Sequence, residues 1–326
     1  MAASVPSRMG QLNGAGVAQV QFLKVFAGEV LTTFDETNLM KPLHMTRTIS
    51  SGKSATFPVV GTAAAEYHVP GAEIPGVAQK HAEQVVIIDG LLISHVFISN
   101  LDEAMNHYDV RGPYAHNLGQ ALANRFDRNC LVQAYNGGFQ TTTITGGKPA
   151  AANQIVLAAD TDDLVGDTLT SHIMTMARMM DQNDVPANDR YVVFDPIQYY
   201  KIVEGTKALN RDWGGSGSFA EGEVLRVAGI NVLKSNHLPP VANDTTADTG
   251  IIAGNTYTGD FRKFLAVGFH KSAIGTVQLM GLKVEAEYDI RRQGHLMVAK
   301  YALGTKWLRP ESCYQINYLT NQASRA

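Results

Sequence analysis

Three kinds of residue in this chain could do chemistry. The first is Gly52-Lys53-Ser54, the ending of a phosphate-binding loop, in which backbone amides cradle phosphate and the lysine supplies charge. That loop needs a glycine five positions before Gly52, where this chain has Arg47. It also needs a helix after the serine, to aim amides and dipole at the phosphate. Ala55 to Val60 reads instead as strand and contains Pro58. Lys53 is therefore expected to be a solvated or intersubunit residue. The second is Gly215-Ser216-Gly217, which begins like a dinucleotide fingerprint. Its third glycine position holds Ala220, and no strand precedes it, so a flexible loop is expected. The third is the dispersed set of histidines. His107 and His116 stand nine residues apart across a proline, and His237 and His270 fall in separate elements. No pair among these has the i, i+4 spacing of a helical metal site. No Ser, Cys or Asp occupies a recognisable nucleophile motif. Cys130 and Cys313 lie in unlike contexts and suggest neither a disulfide framework nor a zinc knuckle. No catalytic residue, cofactor or metal is expected.

The bulk properties narrow the classes further. A chain of 326 residues makes one large or two ordinary domains. The formal charge is only −3, and Lys and Arg are scattered. That excludes a basic nucleic-acid face and suits self-association, because like chains can meet without strong repulsion. Two cysteines fit synthesis in a reduced cytosol. The first twenty residues lack the basic and apolar regions of a secretory signal. No run is apolar for the roughly 18 residues that a membrane span needs, so no membrane partner is expected.

The elements are legible from period and punctuation. Residues 1–16 are small and polar and read as a flexible arm. Phe22, Phe26, Val30 and Phe34 follow at i, i+4 and lay one apolar stripe along a helix. That stripe must dock, on its own core or elsewhere. Residues 46–89 read as two extended arms joined by a polar tip in which Pro70, Gly71, Pro75 and Gly76 forbid a continuous helix. A lone hairpin is marginal in water and its edges invite another chain. Phe57 and Tyr67 are large apolar groups on a segment with no evident core, and they are expected to touch a neighbour. A helix is expected from about Asp102 to Tyr135, kinked or broken at Gly112-Pro113. Beyond the break Leu118, Leu122, Phe126 and Cys130 share a stripe. A second amphipathic helix carries Leu169, Ile173, Met176 and Met180 on one face. Tyr191 to Phe194 reads as a buried strand, and Asp195 then caps a short helix opened by Pro196. Val224 to Leu233 and Phe264 to Phe269 read as further strands, and Lys283 to Tyr318 returns to strand-like alternation. Strands and helices alternating over 161–282 suit a compact α+β domain.

The stretch QVVIIDGLLISHVFISNLDEAMNHYDVR, residues 84–111, is the most informative: strand, turn signal at Asp89-Gly90, strand, then helix chemistry. With FLKVFAGEVLTTF (22–34), RTISSGKSATFPVVG (47–61), HKSAIGTVQL (270–279) and AKYALGTKWLRPES (299–312), it closely resembles the major capsid proteins of short-tailed, T-seven-like podovirus bacteriophages. The blocks follow the family's order and cover about half the chain. Little resemblance is visible between Phe139 and Asp184.

The resemblance implies an α+β, Hong-Kong-ninety-seven-type capsid fold. It would comprise an N-terminal arm (1–45), an extended loop (46–89) and a peripheral domain with a long spine helix (90–160). An axial domain (161–282) and a return to the peripheral domain (283–326) would complete it. It implies a virion protein, assembled in the bacterial host cytoplasm, that forms pentamers and hexamers of an icosahedral head. A scaffolding protein, a portal at one vertex and packaged double-stranded DNA, touched without sequence specificity, are the implied partners; decoration proteins are left open. Phe22, Phe26, Lys53, Phe57, Tyr67, Glu73 and Lys80 become subunit-interface candidates. Asp89, Gly90, Gly112 and Pro113 become hinge candidates for shell expansion. The competing classes are a soluble α/β enzyme using residues 160–280, which lacks convergent acid, base or phosphate groups, and a DNA-binding protein, which lacks the basic face.

Overall fold

The computed structural model describes residues 38–61, 63, 65–71, 73–74, 76, 78–79, 81–105, 111–140, 153–205, 226–244, 251 and 255–322. In chain order the elements are α1 (Met40–Leu43), β1 (Met45–Thr48), β2 (Ser54–Val60), β3 (His81–Ile87), β4 (Leu92–Ser99), α2 (Asn100–Met105) and α3 (Arg111–Gly138). There follow β5 (Gln154–Val156), α4 (Gly166–Gln182), β6 (Arg190–Phe194), α5 (Pro196–Glu204), β7 (Arg226–Val227), β8 (Ile230–Lys234), β9 (Asn243–Asp244) and β10 (Gly259–Asp260). The last are β11 (Phe264–His270), β12 (Ile274–Asp289), β13 (Gly294–Trp307) and β14 (Cys313–Asn317). The chain divides into two units. One holds Gly90–Phe126 and Met280–Leu303; the other holds Asn38–Asp89, Asp127–Leu279 and the chain from Gly304.

In the smaller unit, β4 pairs antiparallel with β13, from Gly294 opposite Ser99 to Tyr301 opposite Leu92. The first half of α3 lays Leu118 and Leu122 on Ile98, Met297 and Ala299. Phe126 meets Tyr301 edge-to-face, centroids 6.2 Å apart. This is the apolar stripe read from the sequence. Pro113 lies within α3, which is described from Arg111 onward. Asn100 to Met105 are helical as α2, and residues 106–110 lie outside the described residues.

The larger unit is built on a six-stranded sheet in the order β5-β14-β11-β6-β8-β7. Its core joins α4 residues Leu169, Ile173, Met176 and Met180, none measurably exposed, to Val192, Phe194, Ala266, Tyr314 and Ile316. Burying such a side chain contributes about 1.5–3 kcal/mol. A Cβ on Gly268 of β11 would stand 2.2 Å from Met176 Sδ, so glycine is what lets this helix lie so close to the sheet. Asp195 Oδ1 accepts the Ile197 N–H at 3.3 Å with Pro196 at the helix start, as read from the sequence. The second half of α3 buries Cys130, Leu131 and Tyr135, and Tyr135 packs on Phe261 and Phe264.

Two sequence expectations need correction. Val224–Leu233 is not one strand: β7 and β8 form a hairpin turning at Ala228 and Gly229, whose φ values of 48° and 80° reverse the chain. A turn built on Ala-Gly offers little signal against flanking apolar residues. The return at 283–326 does not stay together either. Residues up to Leu303 belong with Gly90–Phe126, whereas β14 pairs with β11 and β5 inside the six-stranded sheet. All five β14 residues are buried, and only a central strand covered on both faces provides that. For the same reason the 90–160 block divides, since β5 and Asp127–Gly138 go with the larger unit.

Candidate self-assembly surface

Strands β2 and β3 form a separate two-stranded antiparallel hairpin, from Ser54 opposite Ile87 to Val60 opposite His81. Pro58 is tolerated because every strand of a two-stranded sheet is an edge. Gly52, at φ 111°, separates this hairpin from β1, which pairs parallel with β12 at Gly275–Gln278. The first of the two arms read from the sequence over 46–89 thus holds two strands, β1 and β2.

Burial is graded along the hairpin. At its base Val86 and Ile88 pack with Val277 and Leu308, and Ala55 and Phe57 lie against that cluster. Gln84 Nε2 donates to the Trp307 carbonyl at 3.2 Å, and Lys306 Nζ to the Val85 carbonyl at 3.3 Å. The Ile88 N–H donates to the Lys53 carbonyl at 2.9 Å. Lys53 thus contributes its backbone to the base while its side chain is exposed. Phe57 is half-buried: the core that the sequence did not reveal is supplied by β12 and the residues after β13. At the tip the picture inverts. Tyr67 is 103% exposed, Ile74 73% and Val69 68%. Glu73 is exposed too. Phe22, Phe26 and Lys80 lie outside the described residues, as do His107 and the Gly215–Gly217 motif.

The chain leaves the hairpin through Asp89, and the sequence does not announce what holds it. Tyr257 OH donates to Asp89 Oδ2 at 2.7 Å. Asn255 Nδ2 donates to Asp89 Oδ1 at 2.8 Å and to the Ile87 carbonyl. A Cβ on Gly304 would stand 1.9 Å from that same carbonyl, so β13 passes backbone-on-backbone here. Burial raises the Asp89 carboxyl to about 6, against the opposing pull of the Tyr257 and Asn255 hydrogen bonds. Burial, with the Asp89 charge beside it, pushes the Tyr257 phenol well above its usual value. Asn255 and Tyr257 sit in a polar stretch with no periodicity, and no sequence signal singled them out. Asp89 was a hinge candidate; the structure shows its carboxylate clamped. Gly112 and Pro113 lie within α3 as described.

The described chemistry is structural throughout. His270 Nδ1 accepts the Ser272 N–H at 3.2 Å, a local cap. His237 Nδ1 lies 3.5 Å from Asp127 Oδ2. Cys130 and Cys313 are free and buried, and burial raises both thiols far above the range of a reactive thiolate. Among the described residues no group of three His, Cys, Asp or Glu side chains could hold a metal ion. Nor is any described helix long and apolar enough to cross a membrane.

Solved capsid structures share this architecture. The capsid structure of the cyanophage P-SCSP1u matches with a TM-score of 0.82 and 41% identity, over 98% of this chain and 100% of its own. The mature capsid of bacteriophage PhiM1 shares the fold at a TM-score of 0.73 and 17% identity, over 91% and 92% of the two chains. The architecture is the α+β, Hong-Kong-ninety-seven-type fold of tailed-phage capsid subunits. The major capsid protein of Escherichia phage T7 is 33% identical over 94% of this chain and 95% of its own length. A family model described as Gp10A-like major capsid protein matches residues 56–317. The chain belongs to this Gp10A-like family of phage major capsid proteins, which are structural subunits and not enzymes, and its place is the virion capsid.

Proposed function

We propose that the hairpin is the extended loop by which each subunit reaches its neighbour in an icosahedral head of pentamers and hexamers enclosing double-stranded DNA. The observation that carries this is the gradient from an anchored base to a fully exposed Tyr67. An aromatic held out in water on a firmly rooted strand pair is an interface anchor waiting for a pocket. The unit of Gly90–Phe126 and Met280–Leu303 would act as the peripheral domain, and the six-stranded-sheet unit would carry the axial contacts. Repeated modest contacts around closed rings give a stable shell while single errors can still dissociate. The shell would form in the host cytoplasm on a scaffolding protein, incorporate a portal at one vertex and expand as DNA is packaged. The loop base at Asp89-Gly90 and the segment around Gly112-Pro113 would serve as hinges in that expansion.

The test is expression with and without the phage's scaffolding protein, followed by negative-stain electron microscopy. Closed shells, or rings of five and six, are expected. A monodisperse monomer or dimer in both samples overturns the reading. Charge reversal at Glu73 or Lys80 should lower shell yield with little effect on folding. A Gly90→Val variant that assembles and matures normally would remove the loop-base hinge.

A further inference from the structure

Two anchor points of the larger unit lie far apart in sequence yet share one run of buried hydrogen bonds. The first is where the described chain begins. Asp127, 1% exposed, accepts the Leu39 N–H at 2.8 Å and the Met40 N–H at 3.3 Å, and Met40 itself is buried. His44 closes this short segment with Nδ1 on the Met40 carbonyl. A carbonyl can only accept, so Nδ1 carries the proton and Nε2 of the neutral ring must accept. Its partner is Thr276 Oγ1 at 2.8 Å. Burial of His44, which lowers its pKa below the usual value, agrees with the neutral ring.

The direction of the remaining bonds follows. Thr276 has given its hydroxyl proton to His44, so it accepts from Thr305 Oγ1, 3.0 Å away. Thr305 donates its backbone N–H to Tyr257 OH at 3.0 Å, and Tyr257 donates to Asp89 at 2.7 Å. Thr305 has no measurable exposure, Thr276 is 1% exposed and His44 3%. Water therefore has little opportunity to substitute for a missing partner, and an unmade bond here costs the desolvation of its group. A change in the set of any link must be taken up by its neighbours.

We infer that the seating of residues 38–44 and the set of the extended hairpin are coupled through the run His44–Thr276–Thr305–Tyr257–Asp89. Thr305 and Tyr257 are its positioning residues. Residues 38–44 and the loop leaving at Asp89 then do not relax independently: loosening one lowers the cost of loosening the other. The claim concerns the folded subunit and stands whether or not the hairpin tip meets a second copy.

The test is a double-mutant cycle read by amide hydrogen exchange on the full-length chain. Thr276→Val removes a hydroxyl while keeping side-chain volume, and Tyr257→Phe removes only the phenol oxygen. Protection of β11 (264–270), in the six-stranded sheet, reports that each variant is folded. Thr276→Val is expected to speed exchange at residues 81–88 at least threefold, although Thr276 is three links from Asp89. Tyr257→Phe should do the same at residues 40–48. The double variant should fall short of the product of the two effects by threefold or more. Thr276→Ser, which restores the hydroxyl, should return residues 81–88 to the original rate; a response to lost packing would not be rescued. If β11 protection is lost in Thr276→Val, Thr305→Val cuts the same bond from the other side. Effects confined to each variant's own segment, or effects that simply multiply, overturn the inference.

Discussion

The six-stranded sheet with α4 and the hairpin of β2 and β3 use similar residue types to opposite ends. In the first, Ile173, Met176 and Phe194 show no measurable exposure, and all seven residues of β11 are buried. In the second, burial fades from Val86 and Ile88 at the base to a Tyr67 wholly in water. The sheet is completed by its own chain. The hairpin is rooted by its own chain but left unfinished at the tip. An apolar group that meets nothing within its own fold does not stabilise that fold, so its contribution must come from elsewhere. Under the function proposed above, that would be the next copy.

The sharpest test of this contrast is Ile173→Ala. Removing a side chain with no measurable exposure from the α4 face should cost about 2–5 kcal/mol, read as a lower denaturation midpoint of the unassembled subunit. Loss of shells would follow only through loss of folded protein. Phe57→Ala should fall between the two regimes, because Phe57 is half-buried on the base cluster. Its expected cost is about 1–2 kcal/mol in the same denaturation measurement. A value near zero would mean that the root is weaker than its packing suggests. Tyr67→Ser should leave subunit stability within about 0.5 kcal/mol, yet reduce shell yield several-fold when particles are counted by sedimentation. A Tyr67→Ser subunit that is destabilised and still assembles would reverse the comparison.

The smallest effect concerns pH at the loop base. Asp89 is raised from the ordinary carboxylate range to about 6 by burial. A raised acid favours the folded state in its protonated form. Its contribution is therefore complete below the unfolded value near 4 and lost as pH rises through about 6. Protection of residues 81–88 should be weaker at pH 7.5 than at pH 4.5 relative to Asp89→Asn, which has no charge to desolvate. Asp89→Asn is expected to be neutral or slightly stabilising at pH 7.5. Asp89→Ala should destabilise at both, since Tyr257 and Asn255 lose their acceptor. An Asp89→Asn variant with the same pH slope as the parent would place the titration at another group.

Much of this was readable in advance wherever one element suffices to define the signal. The stripe Leu118, Leu122, Phe126, Cys130 is buried as its i, i+4 spacing implied, and so is the face Leu169, Ile173, Met176, Met180. Asp195-Pro196 starts a helix because cap and ring act within three residues. The capsid family was legible because long blocks stand in family order across the chain. Where a signal requires two distant segments, the reading failed or was silent. Phe57 looked homeless because Val277 and Leu308, which complete its surroundings, lie more than two hundred residues away. Asp89 looked like part of an ordinary turn because Tyr257, which holds its carboxylate, lies 168 residues away.

By itself, then, the amino-acid order determined the helices with clear stripes, the short capped helix, several strands and membership of a shell-building family, since each rests on local periodicity, local backbone chemistry or linear resemblance. Only the tertiary structure decided that β14 enters the six-stranded sheet, that the hairpin is rooted at one end and exposed at the other, and that Asp89 is clamped. Strand partners, burial and the fate of a buried charge depend on which distant residues arrive, and that is settled by packing the whole chain.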